Sequence, residues 1–355
     1  MSDKLLDFVK LAPGPANLIS DVDGIFVGNA EDTAAITGVS VVVPEAPCVA
    51  GCSVPGGGPG TRETDALQPA NLVDRVDAIC LSGGSVYGLD AASAVTAKLG
   101  AEGRGFAMGA PPVASPIVPA AILFDVGNGG TKDWGDTPPY HRLGKQAFDA
   151  RATAFALGNS GAGFGAQAGQ LKGGLGSAST MLDADVCVGA LLAVNPVGAV
   201  CDAHGTFWVQ HLALDHKGAP EFGRADTQAP QAGASHPLAA SKLSGLTAGA
   251  NTTIGVVAVA ADLTPAECQR VAIMAQDGLA RAIRPVHTPL DGDTIFVLAT
   301  GSKPLARAAE MRPLALTVLG ALAADCVARA IARAVWFADD TGFAPAYRSR
   351  FRKAE

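Results

Sequence analysis

A threonine hydroxyl is a poor nucleophile at neutral pH until a base takes its proton. One base can travel with it: its own α-amino group, which ordinarily titrates at about 7.7–8.0. That amine exists only at a chain terminus. The stretch AGANTTIGVV, residues 248–257, raises this chemistry in mid-chain. Small polar residues end at Thr253, and an apolar run with Val256, Val257 and Val259 follows. Attack of the Thr252 hydroxyl on the preceding carbonyl, then hydrolysis of the resulting ester, would break Asn251–Thr252 and leave Thr252 as an amino terminus. A turn between a loop and a rigid strand suits that reaction, because the loop can leave while the strand holds the terminus. The same tripeptide also reads as an ordinary strand edge. It fits an Asn-X-Thr glycosylation acceptor as well, which a cytoplasmic chain would not use.

Other residue sets carry chemistry of their own. In PVHTPLDGDTIF (285–296), Asp291 and Asp293 flank Gly292. They read either as a tight Asp-Gly turn before a strand or as two acids on one side, sharing a proton or a hydrogen-bonded network that orients a catalytic group. Lys172, in QLKGGLGSAST, precedes its glycines, so the phosphate-loop order is absent; it is a solvated loop lysine or part of a nucleophile's proton network. Asn195, in VNPVG, is a turn residue before proline or an amide donor to a developing oxyanion. GGSVYG (83–88) approaches a nucleophile elbow at Ser85, but Tyr87 stands where the second glycine belongs. His211 and His216 lie five apart in a loop-like region and are not read as a metal site. No cofactor is expected.

Composition bounds the partners. The 355 residues are enough for one large domain or two ordinary ones. The chain is 48% hydrophobic and 17% charged with 43 glycines, which suggests closely packed layers. A net charge of -7, no basic run and 5% aromatics argue against nucleic acid as a partner. Seven scattered cysteines read as buried small hydrophobes in a reducing compartment; Cys48 and Cys52, the closest pair, lack nearby histidines. MSDKLLDFVK has no secretory h-region, and no apolar stretch reaches membrane length free of Gly, Pro or charge, so a cytoplasmic protein without a membrane partner is expected.

The elements that must position these residues follow from pattern. GVSVVVPE (38–45) predicts a strand, and 51–65 a glycine-rich loop. Residues 77–100 predict strand, Gly turn and helix, and 116–129 another strand. Residues 184–205 predict two strands around the Asn195-Pro196 break. The stretch 212–250, rich in Pro, Gly, Ala and Ser, predicts one long mobile loop that ends at the NTT junction. Beyond it come strand 253–261, a helix opened by Thr264, Pro265 and Glu267 in a capping box, strand 293–300 and a long helix over 312–338.

Taken together and in order, GGGPGTRETD, LSGGSVYGLDAA, KGGLGSAS, VNPVG, ANTTIG and RAIRPVHTPLDGDTIF resemble the DmpA-type peptidase family. That family comprises L-aminopeptidase/D-amidase-esterases, β-aminopeptidases and the nylon-oligomer hydrolase, and the resemblance spans nearly the whole chain. It implies an α+β fold, a four-layer αββα sandwich of N-terminal-nucleophile type, as a single domain over 1–355. It implies autocleavage before Thr252 into chains 1–251 and 252–355, which stay associated in a homo-oligomer, with a tetramer favoured. It assigns Thr252 as nucleophile, Lys172 as the lysine near it, Asn195 as the oxyanion-side asparagine, and Asp291 and Asp293 as the acids supporting the new terminus. The substrate implied is a small amide or peptide. The Asn-Thr-Thr junction is similar to that of the nylon-oligomer hydrolase, while Phe124 stands where some relatives carry tyrosine. Two other classes stay open: a serine hydrolase using Ser85 without chain cleavage, and a catalytically silent binding protein of the same fold.

Overall fold

Strands covered on both faces show continuous apolar runs rather than alternation with polar residues. The computed structural model, which describes residues 11–107, 109, 112–182, 186–226, 236, 238–245, 251–305 and 309–352, is built from such strands. The first part holds β1 (Ile25–Asp32), β2 (Thr37–Pro44), β3 (Cys48–Ser53), β4 (Thr61–Arg62), β5 (Arg75–Val76), β6 (Ile79–Ser82), α1 (Asp90–Ala101), β7 (Ala120–Ile122) and α2 (Tyr140–Asp149). Then come β8 (Gln167–Ala168), β9 (Leu171–Lys172), β10 (Gly174–Leu182), β11 (Val186–Asn195), β12 (Asp215–His216) and β13 (Ala219–Pro220). The chain closes with β14 (Thr252–Ala261), α3 (Pro265–Ala282), β15 (Thr294–Lys303), α4 (Arg312–Trp336) and α5 (Tyr347–Phe351).

Two sheets stack. One runs β1-β2-β6-β7-β4, the other β10-β11-β14-β15-β3-β5. In the second, β14 pairs antiparallel with β11 and parallel with β15. Period-two geometry splits each strand between two cores. On β14, Ile254, Val256 and Ala258 face the space between the sheets, where they meet Val27, Ile79 and Leu81 of the other sheet. Val257 and Val259 point the opposite way, into a cluster with Val271 and Leu279 of α3 and Val327 and Ile331 of α4. On the far side Val39, Val41 and Val43 pack against Ala92 and Val95 of α1 and Leu143 and Phe148 of α2. The result is the α+β sandwich of four layers, helices outside and sheets inside.

Glycine permits the close approach of these layers. A Cβ at Gly176 of β10 would lie 1.9 Å from the Ala330 carbonyl of α4, and one at Gly28 of β1 would lie 1.8 Å from that of Ala147 in α2. Helix α4 is long and apolar enough to cross a bilayer by composition. Here it covers the second sheet and carries the buried Arg329 and Arg333 into the interior. The α3 start is as predicted: Thr264 Oγ1 accepts from Glu267 N–H, and Glu267 reaches back to Thr264 N–H at 2.8 Å. All seven cysteines are buried free thiols.

Several expected elements differ: the loop expected over 51–65 holds the end of β3 and the short β4, and of the strand expected over 116–129 only β7 forms. No second strand follows Asn195-Pro196; residues 197–205 make only isolated bridges, Ala199 with Arg284 and Cys201 with Phe207. Pro196 has no N–H to give to a ladder, and the next N–H, of Val197, goes to the Asp291 carboxylate instead. The stretch expected as one long loop begins with order. Strands β12 and β13 form a hairpin, and Glu221 and Phe222 beyond it are buried. Glu221 makes a paired contact with the Arg329 guanidinium, at 2.5 and 2.9 Å, and its Oε1 also accepts from Leu214 N–H. The remainder of the expected loop at 227–235, 237 and 246–250 lies outside the described residues.

Candidate active site

Strand register sets the centre of the site. In the antiparallel pair, Asn195, last in β11, stands opposite Thr252, first in β14. In the parallel pair, Ile254 aligns with Thr294, and the bridge between Asn251 and Asp291 carries the same offset back past the strand starts. Gly292 therefore lies beside Thr252. Its N–H donates to Thr252 Oγ1 at 3.1 Å and to the Asn251 carbonyl oxygen, also at 3.1 Å. The Thr252 hydroxyl in turn donates to that carbonyl oxygen. Only glycine fits here, since a Cβ at 292 would sit 2.8 Å from Thr252 Oγ1. Thr252 is buried, as are Asn251 and Asn195.

The two acids do not share a hydrogen-bonded network, one of the two readings their spacing allows. Asp293 Oδ1 accepts from Thr253 N–H at 2.8 Å; its Oδ2 accepts from His287 N–H and lies 2.8 Å from His287 Nδ1. Asp291 Oδ1 accepts from Val197 N–H at 3.1 Å, and its Oδ2 from the Thr288 N–H and hydroxyl. Each carboxylate thus ties a different wall to the junction. They share no hydrogen bond but still feel each other's charge: burial, and then the charge of Asp293, pushes the Asp291 carboxyl above its usual range. The group that touches Thr252 Oγ1 is the backbone amide between the acids.

Asn195 is fixed by its surroundings. Its Oδ1 accepts from Gln167 N–H at 2.9 Å and from Lys242 Nζ at 3.1 Å. With two donors on the oxygen, the amide nitrogen points the other way and donates to the Phe124 carbonyl at 3.0 Å. Gln167 pairs with Lys172 across the β8–β9 hairpin, which connects Lys172 to this amide through backbone. The Lys172 ammonium donates to the Gly163 and Gly173 carbonyls at 3.0 and 2.9 Å and makes no hydrogen bond with Thr252. Burial lowers its pKa to about 7, with Asp125 opposing the shift.

Sequence pattern marks neither Lys242 nor Gly292. Gly292 reads as turn chemistry between two acids, and only the parallel register places its N–H on Thr252. Lys242, in ASKLSG, sits among loop-like residues with no periodicity to mark it. The other candidates lie elsewhere. Ser85 occupies the turn between β6 and α1 at φ 55°, with its N–H on the Leu123 carbonyl. Among the described residues no histidine is hydrogen bonded to its hydroxyl; His141 contacts Asp90 instead. His216 contacts the Pro15 carbonyl oxygen.

Comparison with known proteins agrees with this architecture. Residues 17–346 match the family profile of Peptidase family S58. A Mycobacterium tuberculosis protein described as an uncharacterized aminopeptidase is 44% identical over 351 residues, covering 94% of this chain and 98% of its own. A 6-aminohexanoate-oligomer endohydrolase of Kocuria sp. is 29% identical over 302 residues, covering 81% and 76%. The L-aminopeptidase D-Ala-esterase/amidase of Ochrobactrum anthropi, described as a variant of the Ntn hydrolase fold, superposes with a TM-score of 0.67 at 20% identity, covering 95% of this chain and 92% of that one. With a family profile matched over nearly its whole length and a close relative spanning the same ground, the chain belongs to peptidase family S58.

Proposed function

We propose that this peptidase is a threonine amide hydrolase that makes its own nucleophile by breaking Asn251–Thr252. The observation that carries the reading is the Gly292 N–H, shared between the Thr252 hydroxyl oxygen and the Asn251 carbonyl oxygen. It is a donor already aimed at the oxygen on which negative charge would develop. Thr252 Oγ bonds to the Asn251 carbonyl carbon, and the C–N bond breaks. The hydroxyl proton ends on the released nitrogen. Water then hydrolyses the ester, leaving the Asn251 carboxylate, the free hydroxyl and the Thr252 amine.

In turnover the same hydroxyl attacks a substrate carbonyl. The Thr252 amine takes the proton and returns it to the departing amine, and water releases the acyl-enzyme. The Gly292 N–H serves the oxyanion, joined by the Asn195 amide N–H that is not given to the Phe124 carbonyl; Asp291 and Asp293 hold the walls on either side of Thr252; Lys172 supports Asn195 through the β8–β9 hairpin. The substrate is an amide, peptide-like or of the 6-aminohexanoate-oligomer kind named for the Kocuria relative. The enzyme works in the cytoplasm as a homo-oligomer of paired chains, with a tetramer favoured, and scattering mass at several concentrations measures that assembly.

The test is the intact mass of the protein under denaturing conditions, followed by an amide screen. Two species matching residues 1–251 and 252–355 are expected. A single full-length species that still hydrolyses amides would remove Thr252 from the mechanism and leave Ser85 as the candidate nucleophile.

A further inference from the structure

The turn Asn195-Pro196-Val197 is gripped from both sides of the proposed cleavage point. From the downstream side, the Asp291 carboxylate takes the Val197 N–H, and β14 pairs with β11 up to Asn195. From the upstream side, the grip is Lys242. Its own N–H donates to the Val197 carbonyl at 3.0 Å. Its ammonium donates to the Asn195 backbone carbonyl at 3.2 Å and to Asn195 Oδ1 at 3.1 Å. The segment bearing it is seated on the same region: Ser241 is buried and caps the Leu238 carbonyl, and Gly169 packs so closely on the Ala240 carbonyl that a Cβ there would lie 2.5 Å away. The Lys242 backbone N–H and ammonium both bind this one three-residue turn, which ties residues 238–245 to the strand end opposite Thr252.

We propose that Lys242 is the positioning residue for chain cleavage. It holds the upstream segment and the Asn195 amide so that the Asn251 carbonyl meets the Thr252 hydroxyl. The proposal rests on the cleavage reading above. It acts through Asn195 and through the held segment, and it does not itself touch the reacting atoms. Once the chain is cut, the segment bearing Lys242 is no longer joined covalently to β14. Its contribution is therefore greatest before the cut.

The experiment follows the appearance of the 252–355 fragment in full-length wild type, Lys242→Ala and Lys242→Met, with Thr252→Ala as the uncut control. Lys242→Ala is run with and without excess ethylammonium chloride, and all variants are checked by thermal melting. The expected result is fragment formation slowed about tenfold or more in both lysine variants, in line with loss of a charge-assisted hydrogen bond. Ethylammonium should restore part of the rate in Lys242→Ala, which a purely structural loss would not allow. Cleavage of Lys242→Met at the wild-type rate, or slow cleavage in Lys242→Ala that ethylammonium leaves unmoved, overturns the inference. A wild-type chain that never yields the fragment overturns the cleavage reading itself, and Lys242 with it.

Discussion

Asn195 and Thr252 face each other across the antiparallel pair of β11 and β14, the last residue of one strand opposite the first of the other. Both are buried, and the backbone of Gly292 closes the third side. The junction is thus the meeting point of three strand ends, each anchored in the core of a four-layer fold. Positions so held shift little, which is what a reaction between a hydroxyl and its own preceding carbonyl requires.

Thr252→Ala should remain a single full-length chain with no amide hydrolysis, because the attacking oxygen is gone. Thr252→Ser keeps the hydroxyl and should still divide. Denaturing mass spectra of both proteins check this. Normal division of the alanine variant would displace Thr252 as the nucleophile.

Gly292→Ala should impair both cleavage and stability. The added methyl would meet Thr252 Oγ1 and the Gly58 carbonyl, each at 2.8 Å, so the hydroxyl or the 288–292 turn must move. Overpacking of this kind costs about 1–3 kcal/mol. Urea unfolding gives that cost, and fragment formation, expected to fall by about a hundredfold from the misplaced hydroxyl, gives the functional one.

Lys172 should leave a signature in stability against pH. Burial brings its pKa down from 10.5 to about 7. Between those values the unfolded chain binds the proton and the native chain does not, so stability from this group rises as pH rises through the window. Below about pH 7 the fold carries the full cost of burying the ammonium. Lys172→Met should flatten the rise between about pH 7 and pH 9, read from urea midpoints of both proteins. Equal slopes would mean that Lys172 stays ionised in its pocket. The variant also strips the Gly163 and Gly173 carbonyls of a donor, so its stability at high pH should drop by about 1–3 kcal/mol.

Arg329→Met should be the more damaging change, although it lies away from the junction. Burial by itself pushes the Glu221 carboxyl up, but the paired Arg329 guanidinium, with the Leu214 N–H and the Asn17 amide, holds the pKa below the usual value. Removing the arginine leaves the buried carboxylate with Asn17, Leu214 N–H and only the longer Arg333 contact at 3.9 Å, a loss of up to about 3–5 kcal/mol. A double variant, Arg329→Met with Glu221→Gln, should recover part of that loss in the same urea measurement. No recovery would show that Arg329 stabilises mainly through Thr180, Ser179 and Asn17, its other partners.

What the sequence discloses and what it hides differ by the range of the interaction. The β14 run, the capped start of α3 and the length of α4 are local patterns of apolar spacing and cap chemistry, and each lies within a few residues of its expected place. The residues Thr252, Asn195, Asp291 and Asp293 are legible as a set, and register brings them together. Lys172 reaches the site only through the β8–β9 hairpin. Lys242 is illegible, because its meaning depends on a turn many residues earlier in the chain. The parting of Asp291 and Asp293 is equally hidden. Their spacing allows a plain turn or one shared network, and only the positions of Val197, Thr288 and His287 show two separate ones.

The strand order carries a consequence for the two-chain form. β14 and β15 lie between β11 on one side and β3 on the other, so a break at Asn251–Thr252 would leave each product holding only part of the six-stranded sheet. Neither could complete its ladders alone. Scission would leave the native molecule intact while changing the molecularity of its folding: the uncut chain collapses by itself, at a rate indifferent to dilution, whereas the separated pieces must first find each other. Recovery of each paired unit from denaturant would become second order, and its melting would gain a concentration dependence beyond the one that assembly into an oligomer already brings.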